Sequence, residues 1–122
     1  MIKYLVASII FVILDGFYIN IIKPLFNSQI VSIQGSVLKP KFIAIAITYI
    51  FLLFGLNYFV LRKHMEPTDA FLYGMVIYAV YDFTNLATFS KWGLYFSVID
   101  TFWGGTVFGL TTFIIKNISK LL

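Results

Sequence analysis

Four apolar stretches of about 20 residues follow one another along this chain, at approximately 3–22, 42–61, 70–89 and 94–115. Coiled as α-helices, such stretches are about 30 Å long, which is the thickness of the hydrocarbon core of a bilayer. The composition agrees, because 61% of the 122 residues are hydrophobic and 11% are charged, too few to cover a soluble domain. We therefore predict an all-α integral membrane bundle of four transmembrane helices that forms a single domain over residues 1–122.

The first apolar stretch is expected to be retained, because it is longer than the apolar part of a cleavable signal peptide. Pro24 is expected to end this helix. Beyond it, apolar residues recur at intervals of three or four: Phe26, Ile30, Ile33 and Val37. This spacing predicts a short interfacial helix between helices 1 and 2, with an irregular loop as the alternative because Gly35 interrupts the pattern.

Charged residues concentrate at the ends of the apolar stretches and in the loops. The net charge of +4 therefore indicates anchoring at the membrane interface, and no nucleic-acid partner is expected. The side that holds both termini carries Lys3, Arg62, Lys63, Lys116 and Lys120, and the other side carries Lys23, Lys39, Lys41 and Lys91. This small excess favours termini in the cytoplasm, although near balance also fits insertion in both orientations. The kind of membrane is left open.

Three aspartates interrupt the apolar stretches. Asp15 and Asp82 each lie about 12 residues into helices that run in the same direction, and Asp100 about 6 residues into the returning helix 4. All three therefore fall near one depth. Neighbours on the same helical faces or in the same segment are polar or aromatic: Tyr18, Tyr78, Thr84, Asn85 and Trp103, with Thr48 and Tyr49 of helix 2 at a matching depth. We expect a polar, aromatic-walled pocket that binds a ligand or an ion, since aspartates in spans usually face a bundle interior.

No Lys, Arg or His lies in the middle of a span to neutralise these aspartates. One or more could be protonated, or a cation, including a metal ion held by Asp15, Asp82 and Asp100, could sit among them. Lys23 or Lys91 could also reach inwards from the interface. The structural alternative is that protonated aspartates simply hydrogen-bond across the helices.

Two further patterns concern helix packing. The segments "FVILDGFY" (11–18) and "FSVIDTFW" (96–103) share the pattern F-x-[VI]-[IL]-D-x-F-[YW] and run in opposite directions through the membrane. They indicate either an inverted repeat or chance convergence. In helix 4, Thr101, Gly105 and Gly109 form a ridge of small residues that faces away from Asp100. This ridge predicts a close contact, either with a neighbouring helix or with a second copy in a homo-oligomer.

The segments "KPLFNSQI", "YDFTNLATFSKWGL" and "IDTFWGG" together resemble a family of small four-helix membrane proteins from bacteria, algae and large DNA viruses. The family is known only as a domain of unknown function, and Y-D-x-T-N-L-A-T is the most specific part of the resemblance. The resemblance implies a four-helix fold but no activity. It points to these pattern positions: Asp15, Asp82, Thr84, Asn85, Asp100 and Trp103. The content of Ile, Lys, Phe and Asn suggests an AT-rich genome, viral or otherwise.

Three function classes remain open. The favoured one is a protein that binds or transports a proton, a cation or a cationic amphiphile at the carboxylates. The second is a structural subunit of a membrane assembly, and the third is a membrane-embedded enzyme that modifies a lipid. Because the chain has no cysteine, thiol catalysis and zinc–thiolate sites are excluded. An enzyme of this kind would need a metal or an organic cofactor, and the sequence does not identify which.

Overall fold

Helices occupy all four apolar stretches in the computed structural model, which describes all 122 residues and contains no strand. They are α1 (Ile2–Gln34), α2 (Phe42–Phe54), α3 (Pro67–Thr88) and α4 (Leu94–Ile118). A seven-residue π-helical turn, Gly55–Leu61, continues α2, and a 3₁₀ turn, Ser119–Leu121, follows α4. The predicted all-helical fold with four helices is confirmed.

Three of these helical segments are long and apolar enough to cross a membrane: Ile2–Gln34, Phe42–Leu61 and Leu94–Leu121. The chain is therefore a multi-pass membrane protein. Helix α3 has 22 residues, which is long enough, but it is not one of the three. Polar residues lower its mean hydropathy, among them Asp69 at its first turn and Asp82 and Asn85 near its end. A fourth span through α3 stays a prediction.

Helix α1 runs through Pro24 for 33 residues, so the prediction that this proline ends the first helix is wrong. Proline removes one backbone hydrogen bond, which a long helix in a membrane protein can tolerate. The helix ends instead at Gly35, whose left-handed backbone (φ 75°) lets its N–H donate to the Val31 carbonyl at 2.9 Å. The predicted separate interfacial helix is not confirmed, because most of its apolar stripe belongs to the last turns of α1.

Helices α3 and α4 pack closely because glycines line their crossing. A Cβ added to Gly74 would overlap the Gly104 carbonyl, and one added to Gly105 would lie 2.7 Å from Met75 Cγ and 2.9 Å from Phe71. The predicted ridge on α4 therefore faces α3 within the same chain. A homo-oligomer formed through this ridge stays a prediction.

Helix α1 packs on α4 through Phe11 and Phe108, whose rings meet edge to face at 5.0 Å between centroids. Helix α2 lies at the periphery, since none of its 13 residues is buried. Its π-helical continuation joins the core through Leu56 and Val60, both fully buried. Helices α1 and α3 thus both pack on α4, and one face of α2 is left open.

Candidate functional site

Two hydrogen bonds cross between α1 and α4 at the level of the aspartates. The Trp103 indole N–H donates to Asp15 Oδ1 at 2.9 Å, and the Tyr18 hydroxyl donates to Asp100 Oδ1 at 2.7 Å. The two aromatic rings stack, with centroids 4.7 Å apart and planes 5° from parallel. Each helix therefore supplies one carboxylate and one aromatic donor to the other.

This reciprocity follows from the local sequence. Asp15 and Tyr18 are three residues apart on α1, as Asp100 and Trp103 are on α4, so each pair shares one helical face. Because the two helices run antiparallel, each aspartate meets the aromatic residue of the other pair. These four residues are equivalent positions of the two related segments at 11–18 and 96–103.

Other equivalent positions of the two segments also share their environment. The first phenylalanines, Phe11 and Phe96, are buried, whereas the second, Phe17 and Phe102, are 67% and 54% exposed. Six of the eight equivalent positions are similarly exposed or buried, but Val12 is 44% exposed whereas Ser97 is fully buried, so an inverted repeat stays a prediction.

Asp15 has a hydrogen-bond donor for each of its oxygens. The Trp103 indole N–H donates to Oδ1, and the Tyr49 hydroxyl of α2 donates to Oδ2. The sequence indicated Tyr49 only through its depth, together with Thr48. The structure separates these two residues, since Thr48 is exposed and its hydroxyl donates to the Ala44 carbonyl of its own helix. Asp15 therefore accepts hydrogen bonds from two other helices, α4 and α2.

Asp82 is placed very differently. Its side chain is fully buried, and no N–H or O–H of the chain reaches either carboxylate oxygen. A neighbouring acid on α4 is Asp100. Two carboxyl groups can form a hydrogen bond only when one carries a proton. Asp82 and Asp100 are therefore a pair of neighbouring carboxyl groups, the carboxyl pair, in which a direct hydrogen bond would need one proton.

No basic side chain neutralises the carboxyl pair. The only ion pair in the chain joins Lys116 to Glu66 at 2.8 Å. It lies outside the aspartate cluster, which consists of the three aspartates and their aromatic donors: Asp15, Asp82, Asp100, Tyr18, Tyr49 and Trp103. Lys23 and Lys91, which could have reached inwards, are both exposed and bind no aspartate. Charge at the pair must therefore be balanced by something other than a lysine or arginine.

The remaining predicted residues divide between the cluster and its surroundings. Tyr78 packs its ring directly on Gly104, one turn from Asp100. Asn85 is half-buried, and its carbonyl accepts the N–H of Phe89. Thr84 is exposed on α3, so the structure does not bring it into the cluster.

Ser97 is a buried polar residue at the site that the sequence did not indicate. Its hydroxyl accepts the Trp92 indole N–H at 3.0 Å and bonds the Gly93 carbonyl of its own helix at 2.9 Å. It also lies 3.5 Å from the Asp82 carbonyl. Ser97 in the second related segment corresponds to Val12 in the first. This replacement of an apolar residue by a polar one is the sequence feature that could have indicated Ser97.

The cluster does not have the form of a metal centre, because no three acidic, histidine or cysteine side chains are grouped as ligands. Two surface grooves, of about 480 Å³ and 560 Å³, are lined by other residues. The arrangement places Asp82 and Asp100 beside each other without a basic partner and gives Asp15 two hydrogen-bond donors.

Comparison with known proteins gives one match. No curated protein and no solved structure matches the chain. The family model described as "Predicted membrane protein (DUF2177)" matches residues 1–115, which is almost the whole sequence. The extent of this match and the apolar helices of the fold lead to the same assignment, and the chain belongs to this family of predicted membrane proteins.

Proposed function

We propose that this protein binds an exchangeable proton between Asp82 and Asp100 and that it is a binding or transport protein for a proton or for a small cation that competes with it. The observation that carries the proposal is the environment of Asp82, which is fully buried and has no hydrogen-bond donor for either oxygen. A buried ionisable residue inside a membrane bundle is a functional-site candidate by default.

Electrostatics supports one proton at the pair. Two unit charges about 4 Å apart repel by about 4 kcal/mol at an effective dielectric constant of about 20. A single proton removes this repulsion and supplies the hydrogen bond that Asp82 lacks. A small cation between the two carboxyl groups would remove the repulsion in the same way, so a proton and a cation would compete for one place.

The surrounding residues would set which carboxyl group ionises. Asp15 has two donors and Asp100 has one from Tyr18, whereas Asp82 has none. Asp82 is therefore the carboxyl group of the three with the fewest hydrogen-bond donors. In the protonated state, Asp82 would donate to Asp100, and loss of that proton would leave the least stabilised carboxylate in the cluster.

Infrared difference spectroscopy of the purified protein in lipid tests the proposal. With ¹³C-labelled aspartate, we expect the stretch of a protonated carboxyl group to persist above pH 7 and to disappear in Asp82→Asn. The matched control is Asp69→Asn, which changes an exposed aspartate in the first turn of the same helix and should leave the band unchanged. Absence of the band at every pH between 5 and 8, in protein free of bound cations, would refute the proposal.

Proteoliposomes separate transport from binding alone. An imposed membrane potential should drive pH change inside vesicles that contain the native protein, and Asp82→Asn should reduce this flux to the level of empty vesicles. A persistent carboxyl band without flux would assign the site to binding. If Asp82→Asn folds, leaves the band unchanged and leaves flux unchanged, the carboxyl pair has a structural role only.

A further inference from the structure

A lateral groove of about 480 Å³ lies between the start of α1 and the end of α2, away from the carboxylates. Its lining residues are Tyr4, Ile50, Leu53, Phe54, Asn57, Tyr58 and Arg62. The floor is apolar, and polar or basic groups stand at the end nearest the termini. Ile50 is 64% exposed and Phe54 is 46% exposed, so the floor opens towards the lipid.

The groove is built around the π-helical turn. Its wide turns are marked by bonds that span five residues, from Arg62 N–H to the Asn57 carbonyl and from Met65 N–H to the Val60 carbonyl, each 2.9 Å. π-Helical turns are rare and occur frequently at functional sites. A side-chain relay fixes the two walls, because Asn57 Nδ2 donates to Ser8 Oγ at 3.0 Å and Ser8 donates to the Tyr4 carbonyl at 2.8 Å.

The polar end of the groove is strongly basic. The Arg62 guanidinium and the Lys63 ammonium lie 5.0 Å and 5.2 Å from the centre of the Tyr58 ring, and Lys3 lies 5.8 Å from that of Tyr4. None of these three cations forms an ion pair, because the single ion pair of the chain uses Lys116 and Glu66. The end of the groove therefore offers positive charge that the protein does not neutralise.

We propose that this groove binds one anionic phospholipid, with an acyl chain along Ile50, Leu53 and Phe54 and the phosphate beside Arg62. The basic end of the groove fits an anionic head group at the membrane interface, and the apolar floor fits a hydrocarbon chain below it. A guanidinium can hold phosphate through two parallel hydrogen bonds, which favours Arg62 as the main contact. Lys63 and Lys3 add attraction at longer range.

Native mass spectrometry in a neutral detergent tests this site. The probes are phosphatidylglycerol and phosphatidylcholine with identical acyl chains, titrated onto delipidated protein. We expect one tightly bound phosphatidylglycerol, with affinity about tenfold above that for phosphatidylcholine. Arg62→Gln should lower the affinity for phosphatidylglycerol about fivefold and leave that for phosphatidylcholine nearly unchanged.

Two further variants sharpen the test. Ile50→Trp adds bulk to an exposed position of the floor and should weaken both lipids together, because it obstructs the acyl chain. Lys91→Gln is the control, since it removes an exposed cation from the turn between α3 and α4, outside the groove. Equal binding of the two lipids by native protein, or an equal loss in Lys91→Gln and Arg62→Gln, would overturn the proposal. Should Arg62→Gln fail to fold, Lys63→Gln provides the same comparison with a smaller expected loss.

Discussion

Tyr18 and Trp103 stack with their ring planes 5° from parallel, and each ring donates a hydrogen bond to an aspartate on the helix of the other. The stack and the two hydrogen bonds join α1 to α4 at one level. Stacked aromatic pairs contribute about 0.5–1.5 kcal/mol beyond the area they bury. The pair therefore both stabilises the helix contact and orients two carboxylates.

Replacing Trp103 by Phe should preserve much of the stack and remove only the donor to Asp15. We expect a loss of about 1–3 kcal/mol in the free energy of unfolding, because the Asp15 carboxyl group loses one of its two hydrogen-bond donors. Equilibrium unfolding in mixed micelles measures it. Phe102→Leu serves as the control, since Phe102 is 54% exposed on the same helix, and it should change stability much less.

When Asp15 and Asp82 are each changed to Ala, the loss of stability should not follow how deeply the two residues are buried. Asp15→Ala leaves the Trp103 indole N–H and the Tyr49 hydroxyl without their acceptor, which costs about 1–3 kcal/mol for each buried donor. Asp82→Ala leaves no N–H or O–H donor of the chain without its acceptor. We therefore expect Asp15→Ala to be the more destabilising, although Asp82 is the more deeply buried. Comparable unfolding curves for the two variants would contradict the hydrogen-bond pattern.

Gly74→Ala should force α3 and α4 apart, because the new methyl group would overlap the Gly104 carbonyl. We expect a loss of stability of about 1–3 kcal/mol and a shift of the infrared carboxyl band, since this crossing sets the position of Asp82 relative to Asp100. Gly16→Ala is the matched control, because nothing lies within 4 Å of the added Cβ. That change should be neutral, or stabilising by about 0.5–1 kcal/mol.

Site-directed labelling can decide whether α3 crosses the membrane. The chain contains no cysteine, so Thr68→Cys and Ser90→Cys each introduce a single thiol, at exposed positions at the two ends of α3. We expect a membrane-impermeant maleimide to label the two variants from opposite sides, with Thr68 on the side of the termini. Labelling of both from one side would show that α3 lies within or along one leaflet.

The helices could be predicted from the sequence because apolar stretches of this length have few other stable forms in a bilayer. The end of α1 could not, since Pro24 and Gly35 are both stop signals and only packing decides between them. The π-helical turn carries no sequence signal comparable to a cap. It reflects how Leu56 and Val60 reach the core while α2 stays at the periphery.

For the residues of the cluster, the sequence predicted only their depth in the membrane and the helical face on which they lie. Those two quantities brought Asp15, Asp82 and Asp100 into one group, but they could not separate a carboxylate with two donors from one with none. Helix rotation decides that difference. It also explains why Tyr49 contacts Asp15 while Thr48 faces outwards, and why Thr84 lies on the exposed side of α3.

The length of α1 has a mechanical consequence. Its 33 residues extend for about 50 Å, and fitting that length into a core of about 30 Å would need a tilt of roughly 50°, beyond the usual limit of about 40°. Its last turns, which are rich in Asn, Gln and Ser, must therefore project from the bilayer, where Gln29 accepts the Gly93 N–H at 2.6 Å. Because α1 is one continuous helix, a molecule that binds its projecting end and shifts it would also shift Asp15 and Tyr18 inside the bundle.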